Sequence, residues 1–326
     1  MELTITGANA ITFPHLHIWD WRVASYLFLG GLTGGLMSMS AITNLRAGKA
    51  IPHERHCCWP IPIISPLLLS LGMFFLFLDL ELKQHMYWFY LTFQPTSPMS
   101  WGAWILVLIY PPMILYSLAA IPPPVAEKMA PGLLKSLSEK LRAHLLGIAR
   151  VNFVGGILLS IYTGILLSTF LARPLWNSAI LPVVFLVSGM STGTALLIIM
   201  ARQNEVKLFL TKVDIWLIFT EILVLLLFFY GHYSSDAANQ AAIMPFTNVS
   251  HQYFPYFVSV VFLGIILPLA IAMKFMEVTA DHSKSITPMG KFLMNTSAVL
   301  VLVGGLVVRF VMVYAGQLSS FTGLLK

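Results

Sequence analysis

Long apolar runs separated by short polar connections organise this chain, in place of the narrow stripes of a soluble amphipathic helix. A hydrocarbon core about 30 Å thick takes about 20 apolar residues per helical crossing. Eight stretches meet that length, at roughly 22–42, 60–80, 101–121, 150–171, 179–200, 213–231, 255–274 and 292–315. The pattern predicts an all-α integral membrane protein, with eight transmembrane helices forming a single domain over residues 1–326. Composition agrees: 58% of residues are hydrophobic and 10% charged, and the mean hydropathy is +0.82, far from a soluble globular domain. No basic segment precedes the first span, whose earliest Lys or Arg is Arg22, so a cleaved signal peptide is not expected.

The net charge of +6 would suit a nucleic-acid binder until its distribution is read. Lys and Arg resist translocation and mark cytoplasmic loops. Fourteen of the nineteen fall after the odd-numbered spans: Arg46, Lys49, Arg55, Lys128, Lys135, Lys140, Arg142, Arg150, Arg202, Lys207, Lys212, Lys274, Lys284 and Lys291. Arg22, Lys83, Arg173 and Lys326 fall on the other side, and Arg309 lies inside the eighth span. The asymmetry places both termini outside and dismisses nucleic acid as a partner. Trp19, Trp21, Trp88, Trp101, Trp104 and Trp176 gather at the outer ends, as an aromatic belt would. The longest outer connection, about 233–253, shows no periodicity that suggests a domain.

Glycine clusters at Gly30, Gly31, Gly34 and Gly35 in "GGLTGG", and at Gly189 and Gly193 in "SGMSTG", suit close helix crossings. Pro111 and Pro112 are expected to kink or break the third span. Cys57 and Cys58, adjacent and alone, cannot supply the ligands of an iron–sulfur cluster. All nine histidines fall in loops or at span edges, so no haem is expected. His15 and His17 lack the further ligands of a metal site.

The residues that do not belong in lipid carry the chemistry. Asp79 ends the apolar run "FFLFLDLELKQ". It has two readings: an interfacial pair with Lys83 four residues on, or an inward carboxylate paired with Arg22. Glu221 falls near the middle of the sixth span, where a charge costs several kcal/mol unless paired or neutral. Asp214 lies about 10.5 Å below it on the same helix face. Arg309 needs an acidic partner, with Glu221 and Asp79 both eligible. Asp214, Glu221 and Arg309 together are candidates for a proton path.

Five segments taken together, "WDWRVASYLFLGGLTGG", "GMFFLFLDLE", "QPTSPMSWGAW", "YTGILLSTFLARPLWNSAILPVVFLVSGMSTG" and "GGLVVRFVMVYAGQ", resemble the NrfD family of respiratory membrane subunits, which includes that of polysulfide reductase. The resemblance runs through all eight spans. It implies two four-helix bundles in a bacterial inner membrane, no haem or iron–sulfur cluster in this chain, and a quinone or quinol, of menaquinone type, bound near the periplasmic face. It implies as partners a periplasmic ferredoxin-like iron–sulfur subunit and a catalytic subunit or multihaem cytochrome. It points to Tyr26, Asp79 and Tyr162 as quinone-binding residues, with Arg22 and His17 nearby. Asp79 and Glu221 are then the groups that would take protons. A secondary transporter is the competing reading; it would show paired broken helices around a midplane site.

Overall fold

The computed structural model describes residues 19–47, 60–122, 125, 132–280 and 286–319. The expectations placed on His15, His17, the Cys57–Cys58 pair and Lys326 lie outside them. The described residues contain helices and no strand, and eight helices are long and apolar enough to cross a membrane. The spans are α1 (Trp21–Ala47), α2 (Ile61–Asp79), α4 (Pro98–Ala119), α6 (Leu145–Ser168), α7 (Leu181–Met200), α8 (Asn204–Tyr233), the seventh segment, and α12 (Pro288–Leu318). The seventh is compound: α10 (Phe254–Ser259) and α11 (Leu267–Ala280) are joined by a π turn over Val260–Ile266. Shorter helices are α3 (Trp88–Leu91), α5 (Leu133–Arg142) and α9 (Ala237–Thr247).

Hydropathy found the spans but clipped their ends. Helix α8 starts at Asn204, nine residues before the apolar run at 213, and so carries Lys207 and Lys212 on a helix instead of a loop. The reason is physical: hydropathy measures bilayer thickness, whereas a helix ends where its backbone is capped. Ser97 accepts from the Ser100 N–H to begin α4, and Thr287 accepts from the Gly290 N–H to begin α12, each followed by a proline at the first helical position. In the connection at 233–253, Asp236 caps α9, and Ala238, Ala242, Ile243 and Phe246 bury one face of it. Its periodicity was too short to stand out from the sequence. Pro111 and Pro112 do not break α4, which runs unbroken through them.

Helix α1 is the most buried span and packs on α2, α6, α7 and α12. The "GGLTGG" sequence explains how one helix serves two neighbours. Gly34 meets the Gly156 carbonyl and Ser160 on α6, while Gly31 and Gly35 meet Gly189 and Gly193 on α7. The two glycine-rich motifs thus face each other. A Cβ at Gly35 would collide with the Gly189 carbonyl, so only glycine permits this backbone approach.

Of the expected aromatic belt, Trp21, Trp88 and Trp101 are exposed. Trp176 is not: it is 3% exposed and stacks on Trp19 with ring centroids 5.2 Å apart. Its indole N–H donates to the Met312 carbonyl at 2.8 Å. Gln317 completes the lock, accepting from the Trp19 N–H at 3.0 Å and donating to the Trp19 carbonyl at 2.8 Å. The start of α1 is thereby pinned to the end of α12. His232 lies at a span edge, as expected. It is buried in the last turn of α8, with its ring nitrogens 2.9 Å and 3.3 Å from the Phe228 and Pro174 carbonyls.

Candidate functional site

A cavity of about 330 Å³ opens between α1, α2, α4 and α6. Tyr26, Asp79 and Tyr162 all line it, so three residues 53 and 83 positions apart in sequence meet around one space. Its other walls are mostly apolar: Val23 and Leu27 from α1, Met73 and Leu76 from α2, Ala103 and Leu106 from α4. An apolar chamber with a few convergent polar groups is the usual form of a small-molecule site.

Each polar group is held by its own local structure. Asp79 is the last residue of α2, and Leu80 turns the chain into an extended conformation. The helix ends before Lys83, which lies in a separate short turn at Lys83–His85. Asp79 pairs instead with Arg22, Oδ1 to Nη2, at 3.3 Å. Arg22 also holds Asp20 through Nε at 2.7 Å and donates through Nη1 to the Leu78 carbonyl at 2.7 Å. One guanidinium therefore ties two carboxylates and the end of α2 together. Asp20 escaped the sequence reading, although the D-x-R spacing that lets its carboxylate accept the Arg22 N–H at 2.8 Å was visible. All three side chains retain some solvent contact.

Tyr162 is seated by a glycine. Its hydroxyl donates to the Pro98 carbonyl at 3.1 Å, and a Cβ on Gly102 would overlap that hydroxyl and its ring carbon. With its proton given to Pro98, the Tyr162 oxygen is left to accept. Tyr26 is buried, and none of the hydrogen bonds described above engages its hydroxyl. Tyr90, from the connection after α2, also lines the cavity. Burial lifts its phenol above the usual tyrosine range, with nearby Tyr110 adding to the rise, so at neutral pH it is a protonated donor.

The second constellation lies elsewhere. Asp214, Glu221 and Arg309 are each over nine-tenths buried, and none lines the cavity. Ser191 donates to Asp214 at 2.9 Å. Arg309 donates through Nη1 to the Ser188 hydroxyl at 3.0 Å and through Nη2 to the Phe185 carbonyl at 3.2 Å. Its guanidinium carbon stands 4.3 Å from the Phe185 ring centre, and its Nε has no hydrogen-bond partner. Glu221 lies close enough to Arg309 to interact with it electrostatically. Of the two partners open to Arg309, Glu221 is the near one; Asp79 is taken by Arg22. Gly31 makes room for this arrangement, because its Cβ would stand 3.3 Å from Nη2 of Arg309. Tyr26 and Gly31 are five residues apart, so cavity and cluster are separated by about 7.5 Å of rise along α1. Among the described residues no group of three His, Cys, Asp or Glu is placed to hold a metal ion.

Eight helices long and apolar enough to cross a membrane, four of them enclosing an apolar cavity with a carboxylate at its rim, define a multi-pass membrane protein. The family model for "Polysulphide reductase, NrfD" matches residues 10–320, and the chain belongs to that family. It is 27% identical over 313 residues to a polysulfide reductase chain of Wolinella succinogenes, covering 94% of the present sequence and 96% of that protein. It is 28% identical over 329 residues to protein NrfD of Escherichia coli, covering 97% and 99%. A shorter match, 30% over 191 residues, reaches a tetrathionate reductase subunit of Salmonella typhimurium and covers 58% of the present sequence and 50% of that one.

Proposed function

We propose that this protein is the quinol-binding membrane subunit of a respiratory oxidoreductase complex, and that the cavity between α1, α2, α4 and α6 is its quinol site. One observation carries the reading: Tyr26, Asp79 and Tyr162, brought from three different helices, converge on a single apolar cavity. A chamber of about 330 Å³ suits a hydrophobic ring. Quinol oxidation releases two protons and two electrons. The Tyr162 oxygen, its proton committed to Pro98, accepts from one quinol hydroxyl, and Tyr26 holds the other. Asp79, which solvent still reaches, takes the two protons one after the other and passes each to water, while Arg22 holds its carboxylate in place and Asp20 shares that guanidinium at the surface. The electrons pass to a partner, a periplasmic ferredoxin-like iron–sulfur subunit serving a catalytic subunit or multihaem cytochrome. The relatives' names support membership of reductase complexes.

The same proposal includes a menaquinone-type substrate, a bacterial inner membrane, both termini outside and two four-helix bundles. Outside termini are supported by the fourteen basic residues gathered on the opposite face. Asp214, which accepts from Ser191, Glu221 and Arg309, which donates to Ser188, form a proton route from the cytoplasmic side. Unaltered proton translocation by Glu221→Gln in proteoliposomes would remove that route.

The transporter reading gains one observation, the π turn at Val260–Ile266 in the seventh span. The void beside it is only about 20 Å³ and is lined by apolar side chains, among them Phe229, Phe257 and Val260. That is room for one water at most, so the quinol reading stands ahead. Its test is a titration with a fluorescent quinol analogue. Saturable quenching that is lost in Asp79→Asn and in Tyr162→Phe is expected; binding that persists unchanged in both variants would refute the site.

A further inference from the structure

The segment between α2 and α4 folds into two short turns. After Leu80 it forms the turn Lys83–His85 and the single helical turn α3. Met86, Phe89 and Tyr90 line the cavity. Tyr87, 53% exposed, Trp88, 58%, and Leu91, 77%, face away from it, and Phe89 is partly exposed as well as lining the cavity. The cavity wall is therefore one helical turn thick here.

Hydrogen bonds tie its two ends. Arg22 grips the Leu78 carbonyl before it. After it, Ser100 accepts from the Gln94 N–H at 3.0 Å, and Trp101 donates to the Pro95 carbonyl at 2.7 Å. Between those ends, the backbone bonds described are local, such as His85 to Leu82, Phe89 to Met86 and Leu91 to Tyr87. The middle of the segment presents Met86, Phe89 and Tyr90 to the cavity.

The outward face carries exposed apolar side chains, Leu82 and Phe93 beside Tyr87, Trp88 and Leu91, while its polar exposed residues, Glu81, Lys83, Gln84 and His85, gather around the first turn. It is continuous with exposed Phe74 near the end of α2 and exposed Met99 and Trp101 at the start of α4. Those helices cross the membrane, so their exposed side chains meet lipid. Trp and Tyr belong at the headgroup boundary, where Lys83 can extend its amine to water.

We infer that residues 80–94 form a membrane-seated lid, with the outward face in the outer-leaflet lipid and the inward face closing the cavity, so that a lipid-dissolved ligand enters sideways from the bilayer. The identity of that ligand rests on the quinol reading; the seat in lipid does not. A water-soluble quinol analogue needs no such entry, whereas a long isoprenoid tail does.

Two measurements test it on the full chain in nanodiscs. The first places a bimane fluorophore at Leu91→Cys, with Cys57→Ser and Cys58→Ser. Strong quenching by doxyl-labelled lipid and weak quenching by iodide is expected. Strong iodide quenching with little from lipid would overturn the lipid seat, as would protection from both when the remaining subunits of the complex are bound. The second uses Trp88→Asp with Leu91→Asp in the assembled complex. KM for a long-tailed quinol should rise about tenfold, with kcat and the KM of a short-tailed analogue unchanged. An equal change for both tails would overturn sideways entry. Lipid quenching at Leu91 in a protein that binds no quinol would refute the quinol reading and leave the lipid seat standing.

Discussion

The cavity and the Arg309 cluster use the same side-chain types to opposite ends. At the cavity, Arg22 pairs with Asp79 and Asp20 where solvent still reaches them, and an apolar space lies beside the carboxylate. In the cluster, Arg309 is 1% exposed and donates to Ser188 and to the Phe185 carbonyl, with buried Glu221 nearby. The surroundings decide what each can do. A partly solvated carboxylate at a cavity rim can exchange protons with a ligand at little cost to the fold. A sealed guanidinium is part of the fold, because removing its neighbours strands a charge in low dielectric.

The comparison breaks first at Arg309. Arg309→Ala, which leaves Glu221 and a cavity behind, should destabilise by about 3–5 kcal/mol, read as a large fall in the denaturation midpoint in detergent. A loss under about 1 kcal/mol would mean that the cluster is as loosely coupled as a surface pair. Asp79→Asn should do the reverse. Turnover of the assembled complex should fall by about 10²–10⁴-fold, the range for losing a general base, with stability changed by less than about 1 kcal/mol.

Gly102→Ala sharpens the geometry without touching a charge. The new methyl forces the Tyr162 ring from its seat, so quinol affinity should weaken about tenfold, or about 1.4 kcal/mol. The Gly102→Ala and Tyr162→Phe losses should not add, since both act through one hydroxyl. The smallest effect belongs to Asp20→Asn, which leaves the Arg22 to Asp79 pair in place. A fall in turnover of a few fold is expected, with stability within about 1 kcal/mol; a loss as large as that of Asp79→Asn would make Asp20 an equal partner in the proton step.

The spans and the odd charges inside them were legible in sequence because lipid penalises both broken helices and unpaired ions. Tyr26, Asp79 and Tyr162 were named together through resemblance to a family, and the fold brings them to one cavity. Whether Asp79 pairs with Lys83 or Arg22 was not legible. It depends on α2 ending at that residue, and DLEL carries no strong stop signal. The roles of Gly102 and Ser188 were hidden for a different reason: each acts only on a neighbour from a distant helix. Trp176 misled because an indole near a span end suits the membrane boundary and a protein core equally well.

The most direct measurement is photoaffinity labelling of the assembled complex with an azido-quinone, followed by mass spectrometric mapping of the adducts. Adducts on peptides carrying Tyr26, Met73, Tyr90 and Leu166, competed away by excess quinol, are the predicted result. Competed adducts confined to α7, α8 and α12 around Arg309, with none on the cavity wall, would contradict the assignment of quinol binding to the open region and not to the sealed one.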